Sequence, residues 1–172
     1  MMRCVPRARP LPPYDEVLGL PAAPARTVPG EFGDGNGHLN VRHYLGIFDD
    51  AEWALFDEFG AGNEASSAGV GGMFALEQHL TYRREVLVGD EVAVHVRMLA
   101  RSDKLVHFVS YLLNRTRTEV AASMEALEAY VAYDSRRVSP FSTQAQRVLD
   151  SWIQLQDLLP APALSGSISL DG

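Results

Sequence analysis

Cysteine, lysine and long apolar runs are what this sequence has least of. Cys4 is its one cysteine, so no intramolecular disulfide and no cysteine-based zinc site can form. That usage fits a reducing compartment, and a cytoplasmic location is expected. No apolar run approaches the roughly 18–20 residues that a membrane-spanning helix needs, so no membrane partner is expected. Positive charge is also short. Fifteen basic residues against 22 acidic ones leave a net charge of −7, and Lys104 alone among the basic residues is lysine. An acidic balance of this kind argues against a general nucleic-acid binder. The sequence has no Gly-x-Ser-x-Gly elbow, which removes support for a serine hydrolase. The glycine-rich stretch from Gly60 to Gly72 lacks the Lys-Ser/Thr ending of a phosphate-binding loop. His95 and His107 have no ligand cluster beside them, so no metal site is expected.

What remains is enough for one ordinary domain: 172 residues, 47% of them hydrophobic. Pro6, Pro10, Pro12 and Pro13 interrupt any helix near the N-terminus, so residues 1–24 are expected to form an irregular Pro/Arg-rich leader. Residues 25–158 are expected to be the domain, and residues 159–172, rich in Ala, Ser, Gly and Pro, a flexible tail. Within the domain, a strand around 26–32 is interrupted by Pro29 and Gly30 and should be an edge. Tyr44, Phe48, Ala51, Leu55 and Phe59 recur at steps of three and four, the mark of a buried helical stripe, with Ile47 and Ala54 widening it. Residues 61–72 read as a mobile loop. Val92, Val94, Val96 and Met98 then alternate with Glu91, Ala93, His95 and Arg97 as a strand does. Residues 73–85, 104–115 and 119–134 are also strand-like, joined by short turns suited to antiparallel pairing. A last helix is expected over 142–158, with Val148, Trp152 and Leu155 in its stripe. One long helix followed by four consecutive strands predicts an α+β fold, a sheet wrapped on a central helix.

The sharpest local signal is Asp34-Gly-Asn-Gly-His38-Leu-Asn40, just before that helix. Asn40 is a favourable N-cap. Beyond it, unpaired N–H groups near Val41 favour a developing oxyanion, and Asp34 facing them can serve as base or nucleophile for acyl transfer. The same residue types also make a good turn. No Lys or Arg occurs from His43 to Tyr82, so Asp49, Asp50 and Glu52 form an acidic run, read here as a solvated helix face.

The run from Asp34 to Tyr44, followed by Phe48-Asp49-Asp50-Ala51, resembles the opening of the hotdog-fold acyl-CoA thioesterases of the 4-hydroxybenzoyl-CoA thioesterase-like group. Tyr82-Arg83-Arg84-Glu85-Val86-x-x-Gly89-Asp90 and Asp134-Ser-Arg136-Arg137 extend the resemblance. It implies a hotdog fold, with a five-stranded antiparallel sheet around a long central helix plus a C-terminal helix. It also implies hydrolysis of an acyl-CoA thioester with no separate cofactor, coenzyme A entering as part of the substrate. Asp34 matches the family's nucleophile or general base. Val41 matches the backbone N–H that polarises the thioester carbonyl, while His38 and Asn40 orient the acid or the carbonyl. Arg101, Ser102 and Lys104 match a turn that grips coenzyme A phosphates, and Arg136 and Arg137 a second such patch. A homodimer or dimer of dimers is implied, with each site built between two subunits. Phe32 stands where many relatives carry a second acid, and Glu52 where many carry arginine. A hotdog hydratase or dehydratase acting on enoyl thioesters, and a non-catalytic acyl-CoA binding module, are the alternatives.

Overall fold

The computed structural model describes residues 10–162, 164 and 168–170. Cys4 and the first nine residues of the expected leader lie outside them, as do residues 163, 165–167, 171 and 172 of the expected tail. In chain order the elements are α1 (Tyr14–Leu18), β1 (Arg26–Thr27), α2 (Val41–Phe56), α3 (Asn63–Ser67), β2 (Gly71–Tyr82), β3 (Glu91–Arg101), β4 (Leu105–Asn114), β5 (Glu119–Ala132), β6 (Arg137–Val138) and α4 (Thr143–Gln156). Every strand pairing is antiparallel, in the order β1-β3-β4-β5-β2, with β6 added beside β5.

The helix α2 starts where Asn40 accepts a hydrogen bond from the Arg42 N–H, 3.2 Å. Its apolar residues Tyr44, Ile47, Phe48, Ala51 and Leu55 are buried, as the spacing predicts, whereas Ala54 is exposed. They pack against Val92, Val94, Val96 and Met98 of β3, Phe108 and Leu112 of β4, and Met124 and Ala126 of β5. Phe59, one short 3-10 turn further on, meets Phe141 and Trp152, so α4 closes the far end of the same core. Among the expected stripe residues of α4, Trp152 is buried and Val148 is half-buried against the core. Leu155 is exposed, and Ala145, Leu149 and Gln156 take the inward face instead. The helix is rotated because the Gln156 side-chain oxygen accepts the Met98 N–H at 2.6 Å.

Several elements differ from the spacing argument for local reasons. The first strand shrinks to two residues, because Pro29 offers no N–H and Gly30–Phe32 turn into a 3-10 helix. The stretch expected to be a mobile loop contains α3, anchored where the Asp57 carboxylate accepts the Glu64 N–H at 2.8 Å. Gly62 allows that approach, since a Cβ there would collide with the Trp53 carbonyl. Residues 10–24, expected to be irregular, include α1 and cover the outer face of the sheet. Val17 and Leu20 join Val109, Tyr111, Leu113 and Val120 in a second buried cluster, with Leu11, Tyr14 and Leu159 against it. Arg97, on that outer face, donates to the carbonyls of Gln156 (3.0 Å), Leu159 (3.1 Å) and Pro160 (2.6 Å). Both faces of β3 are therefore covered.

One long edge stays open. β2 pairs with β5 on one side only, and its Phe74 and Leu76 are 45% and 56% exposed.

Phe48 is fully buried at the helix–sheet contact. Phe48→Ala is expected to cost about 3–5 kcal/mol, read as a lower urea midpoint; a midpoint near that of the parent would mean that α2 does not organise the core.

Candidate functional site

The loop before α2 is a tight closed turn. Gly33 pairs with Leu39, the Asp34 N–H donates to the His38 carbonyl at 2.8 Å, and Gly37 takes a left-handed φ of 80° that favours glycine. The Asp34 carboxylate accepts the N–H groups of Asn36 (2.8 Å) and His38 (3.0 Å). Those two bonds are the main reason its pKa lies below the ordinary carboxylate value, so the group stays ionised at neutral pH. The loop is sewn to the sheet end by Leu39 N–H to the Val86 carbonyl (2.7 Å) and by a bridge between His38 and Leu87. His38 Nε2 lies 3.2 Å from Glu85 Oε2.

Asp34, His38, Asn40 and Val41 line one open groove of about 470 Å³, with Tyr44, Tyr82 and Arg84 across from them. The Tyr44 and Tyr82 rings meet edge-on at 5.0 Å and form its apolar wall. Val41 is the first helical residue, so its N–H is one of the orphan donors of a helix start. An ionised carboxylate and orphan amides in one groove are able to activate a nucleophile and to stabilise an oxyanion.

The other expected residues lie elsewhere in the chain. β5 runs along β2 from Ala122, beside Tyr82 at the groove, to Ala132, beside Gly71. At about 3.3 Å per residue, these ends are about 33 Å apart. The turn bearing Arg101, Ser102 and Lys104 sits at the far end, where the Tyr130 N–H donates to the Lys104 carbonyl. Arg136 and Arg137 sit there too, just past Ala132. Arg101 already makes a two-pronged bond to Asp150 of α4, 2.7 Å on each arm. The Ser102 hydroxyl accepts the N–H groups of Lys104 and Leu105 and shapes the turn.

The acidic run of α2 is only in part the solvated face expected of it. Asp49 and Asp50 are exposed, but Glu52 is 1% exposed, with Ser110 Oγ donating to its carboxylate at 2.5 Å. Glu52 falls four residues after Phe48 and three before Leu55, so its spacing already placed it on the buried stripe. Glu128 of β5 shares the inward face with Ala126 and is 5% exposed. Burial first, and then the charge of Glu128, raises the Glu52 pKa well above normal. Burial and the nearby charge of Asp49 push Glu128 up to about 7. On Asp49, burial raises the pKa while the Trp53 side chain donates a hydrogen bond that holds it down.

Folding raises the Glu128 pKa from 4.5 to about 7, so between those values the folded chain holds a proton that the unfolded chain has released. Its contribution to stability is complete below the lower value and is lost as pH rises through the upper one. Glu128→Gln should therefore raise Tm by several degrees relative to the parent at about pH 8.5, and much less at about pH 5. Equal shifts at both pH values would show that Glu128 folds in its charged form.

A family model for the thioesterase-like superfamily matches residues 28–152. The sequence is 29% identical over 140 residues to an Agrobacterium fabrum protein named L-carnitine dehydrogenase/betainyl-CoA thioesterase, and 23% identical over 133 residues to one of the same name from Rhizobium meliloti. The aligned part covers 81% and 77% of this chain but only 28% and 27% of those longer proteins. Among solved structures, a Pseudomonas putida protein provisionally named a thioesterase superimposes with a TM-score of 0.73 at 30% identity, covering 89% of this chain and 98% of its own. A Staphylococcus aureus protein solved in complex with CoA gives 0.76 at 22% identity, covering 88% and 96%, a likeness of fold. The curled antiparallel sheet around α2 is the hotdog fold, and the chain belongs to the thioesterase-like superfamily.

Proposed function

We propose that this protein is a cytoplasmic acyl-CoA thioesterase, releasing a free acid and coenzyme A. The observation that carries the reading is the ionised Asp34 carboxylate, held by two backbone N–H groups in an open groove at the start of α2. As general base, Asp34 takes a proton from water while the oxygen adds to the thioester carbonyl. As nucleophile, it adds directly and forms an acyl-aspartate anhydride that water then opens. In either route the oxyanion faces the orphan amides near Val41, the C–S bond breaks, and the thiolate of coenzyme A leaves and takes up a proton. His38, tied to Glu85, and Asn40, capping α2, act as positioning residues that keep the loop in place.

The long free edge of β2 is the liability that a second copy removes. Antiparallel pairing of β2 with its copy sets Tyr82 of one chain near Gly71 of the other. The turns bearing Lys104 and Arg136 of one chain then come toward the Asp34 groove of its partner. On this reading the coenzyme's phosphates are held across the dimer, which reconciles these residues with a groove about 33 Å away in their own chain. Guanidinium and ammonium groups suit that task.

Asp34→Asn and Asp34→Ala are expected to lose at least about a hundredfold in kcat, measured by thiol trapping on a panel of acyl-CoAs. Because two relatives are named betainyl-CoA thioesterases, the panel includes a quaternary-ammonium acyl group. Undiminished turnover in both folded variants would overturn the reading. Loss of enoyl absorbance without thiol release would favour a hydratase, and tight binding without turnover a sensing module.

Lys104→Ala with Arg136→Ala should raise KM for acyl-CoA, with kcat little changed and the effect shrinking as salt rises. The same pair should have little effect on an acyl-pantetheine, which lacks the nucleotide. Arg101 is a poorer probe, because Asp150 already holds it. Equal losses on both substrates would remove these residues from the coenzyme site. Sedimentation showing only an active 18.9 kDa species would refute the dimer.

A further inference from the structure

A second cavity, of about 450 Å³, adjoins the Asp34 groove. It is lined by Leu11 and Tyr14 of the N-terminal segment, by Arg83 and Arg84 beyond β2, and by Thr118 and Glu119 at the turn into β5. Arg83 and Arg84 line the groove as well, so they form the wall common to both spaces. The N–H groups of both residues donate to one carbonyl, that of Ala121, at 2.9 and 3.0 Å. Two donors against one acceptor bend the chain as it leaves β2. The opposite wall is fixed by Leu11 and Tyr14, which pack on the buried cluster of Val109 and Leu113. Thr118 holds a left-handed φ of 54°, a conformation that a β-branched residue keeps only where its surroundings enforce it.

The lining suits one carboxylate at the end of an apolar chain. Its charged residues are Arg83, Arg84 and Glu119, which leaves one positive charge in excess. Among the described residues, Arg84 meets Glu119 through Nε alone, at 3.5 Å. The terminal nitrogens of its guanidinium are left for a planar anion. Direction follows from the thioester itself, whose acyl and sulfur substituents diverge from the carbonyl carbon. On the dimer proposed above, the coenzyme arrives from the side of the partner's β2, so the acyl group leaves across Arg83 and Arg84. The coenzyme's phosphates fit this wall poorly. Glu85, next to Arg84, contacts His38 of the Asp34 loop at 3.2 Å, so Arg84 lies close to the reacting carbonyl. The phosphates sit beyond a pantetheine arm of about 14 Å, the reach of four extended residues.

We propose that this cavity is the acyl subsite and that Arg84 selects acyl-CoA thioesters whose acyl chain ends in a carboxylate. The proposal rests on the thioesterase reading and on the coenzyme entering from the partner's side. Leu11 and Tyr14 cover the methylenes of the chain, and Arg84 meets its free end.

The test uses dicarboxylic acyl-CoAs of six and eight carbons, each against the thioester in which a carboxamide replaces the free carboxylate. The readout is the ratio of their kcat/KM values, carboxylate over carboxamide, measured by thiol trapping. The parent should prefer the carboxylate. In Arg84→Gln, at an exposed position where folding is not at risk, the ratio should fall by roughly tenfold. Glu119→Gln removes the competing acid and should raise the ratio by about two- to threefold, which a merely structural role for Glu119 would not do. A ratio in Arg84→Gln equal to the parent's, with Asp34→Asn still inactive, overturns the subsite and leaves the thioesterase reading standing. Turnover surviving in Asp34→Asn overturns that reading instead. If Arg84→Gln weakens both CoA thioesters equally but spares the matching acyl-pantetheines, Arg84 binds the coenzyme's nucleotide and the acyl assignment is wrong.

Discussion

Burial of α2 on the concave side of a single sheet is the constraint from which the rest of the structure follows. A helix with Tyr44, Ile47, Phe48, Ala51 and Leu55 turned inward needs apolar partners over a wide arc, and a sheet supplies them only by curling around it. The curl aims the N-terminus of α2 at the sheet end where Tyr82 and Val86 stand, and so it forms the groove that holds Asp34. It also leaves the convex face of β3 and β4 apolar and in need of cover. Residues 10–24 and the carbonyls near Pro160 provide that cover, the latter through Arg97. The edge that the curl cannot close is β2.

Charge is distributed unevenly along this frame. Arginines outside the α2–β2 stretch meet local partners: Arg26 with Asp50, Arg101 with Asp150, Arg117 with Glu85 and Asp90. Exposed pairs of this kind contribute little to stability, but they hold loops and termini in register. Inside, between α2 and β5, Asp49, Glu52 and Glu128 have no such counter-charge among the described residues. Glu52 leans on a hydroxyl, and Glu128 is pushed toward neutrality by burial and by Asp49. The interior arrangement, unlike the surface one, favours a protonated Glu128.

Much of this was legible in the residues alone. The steps of three and four from Tyr44 to Phe59 specify a buried helix, because only one face of a 3.6-residue turn can carry them. The alternation of β3 specifies a strand, and Asn40 specifies where α2 begins. The motif from Asp34 to Asn40 identified the groove, because turn, cap and carboxylate are set by neighbours in sequence and by backbone bonds a few residues apart.

What the sequence could not decide depends on contacts between residues far apart. The outward rotation of Leu155 follows from a bond between Gln156 and β3. Order in residues 14–18 follows from an apolar face on β4 and β5 that no local pattern announces. Glu52 lies on the buried stripe by spacing, yet only Ser110, 58 residues away, makes its burial tolerable. The turns of Lys104 and Arg136 lie at the opposite end of the sheet from Asp34, because strand register carries them there. Local chemistry determined the helix, the strands and the loop that carries Asp34. Tertiary packing alone decided which charges are buried, which arginines are already engaged and which edge is left free, since each is a property of surfaces that meet only after the chain has folded.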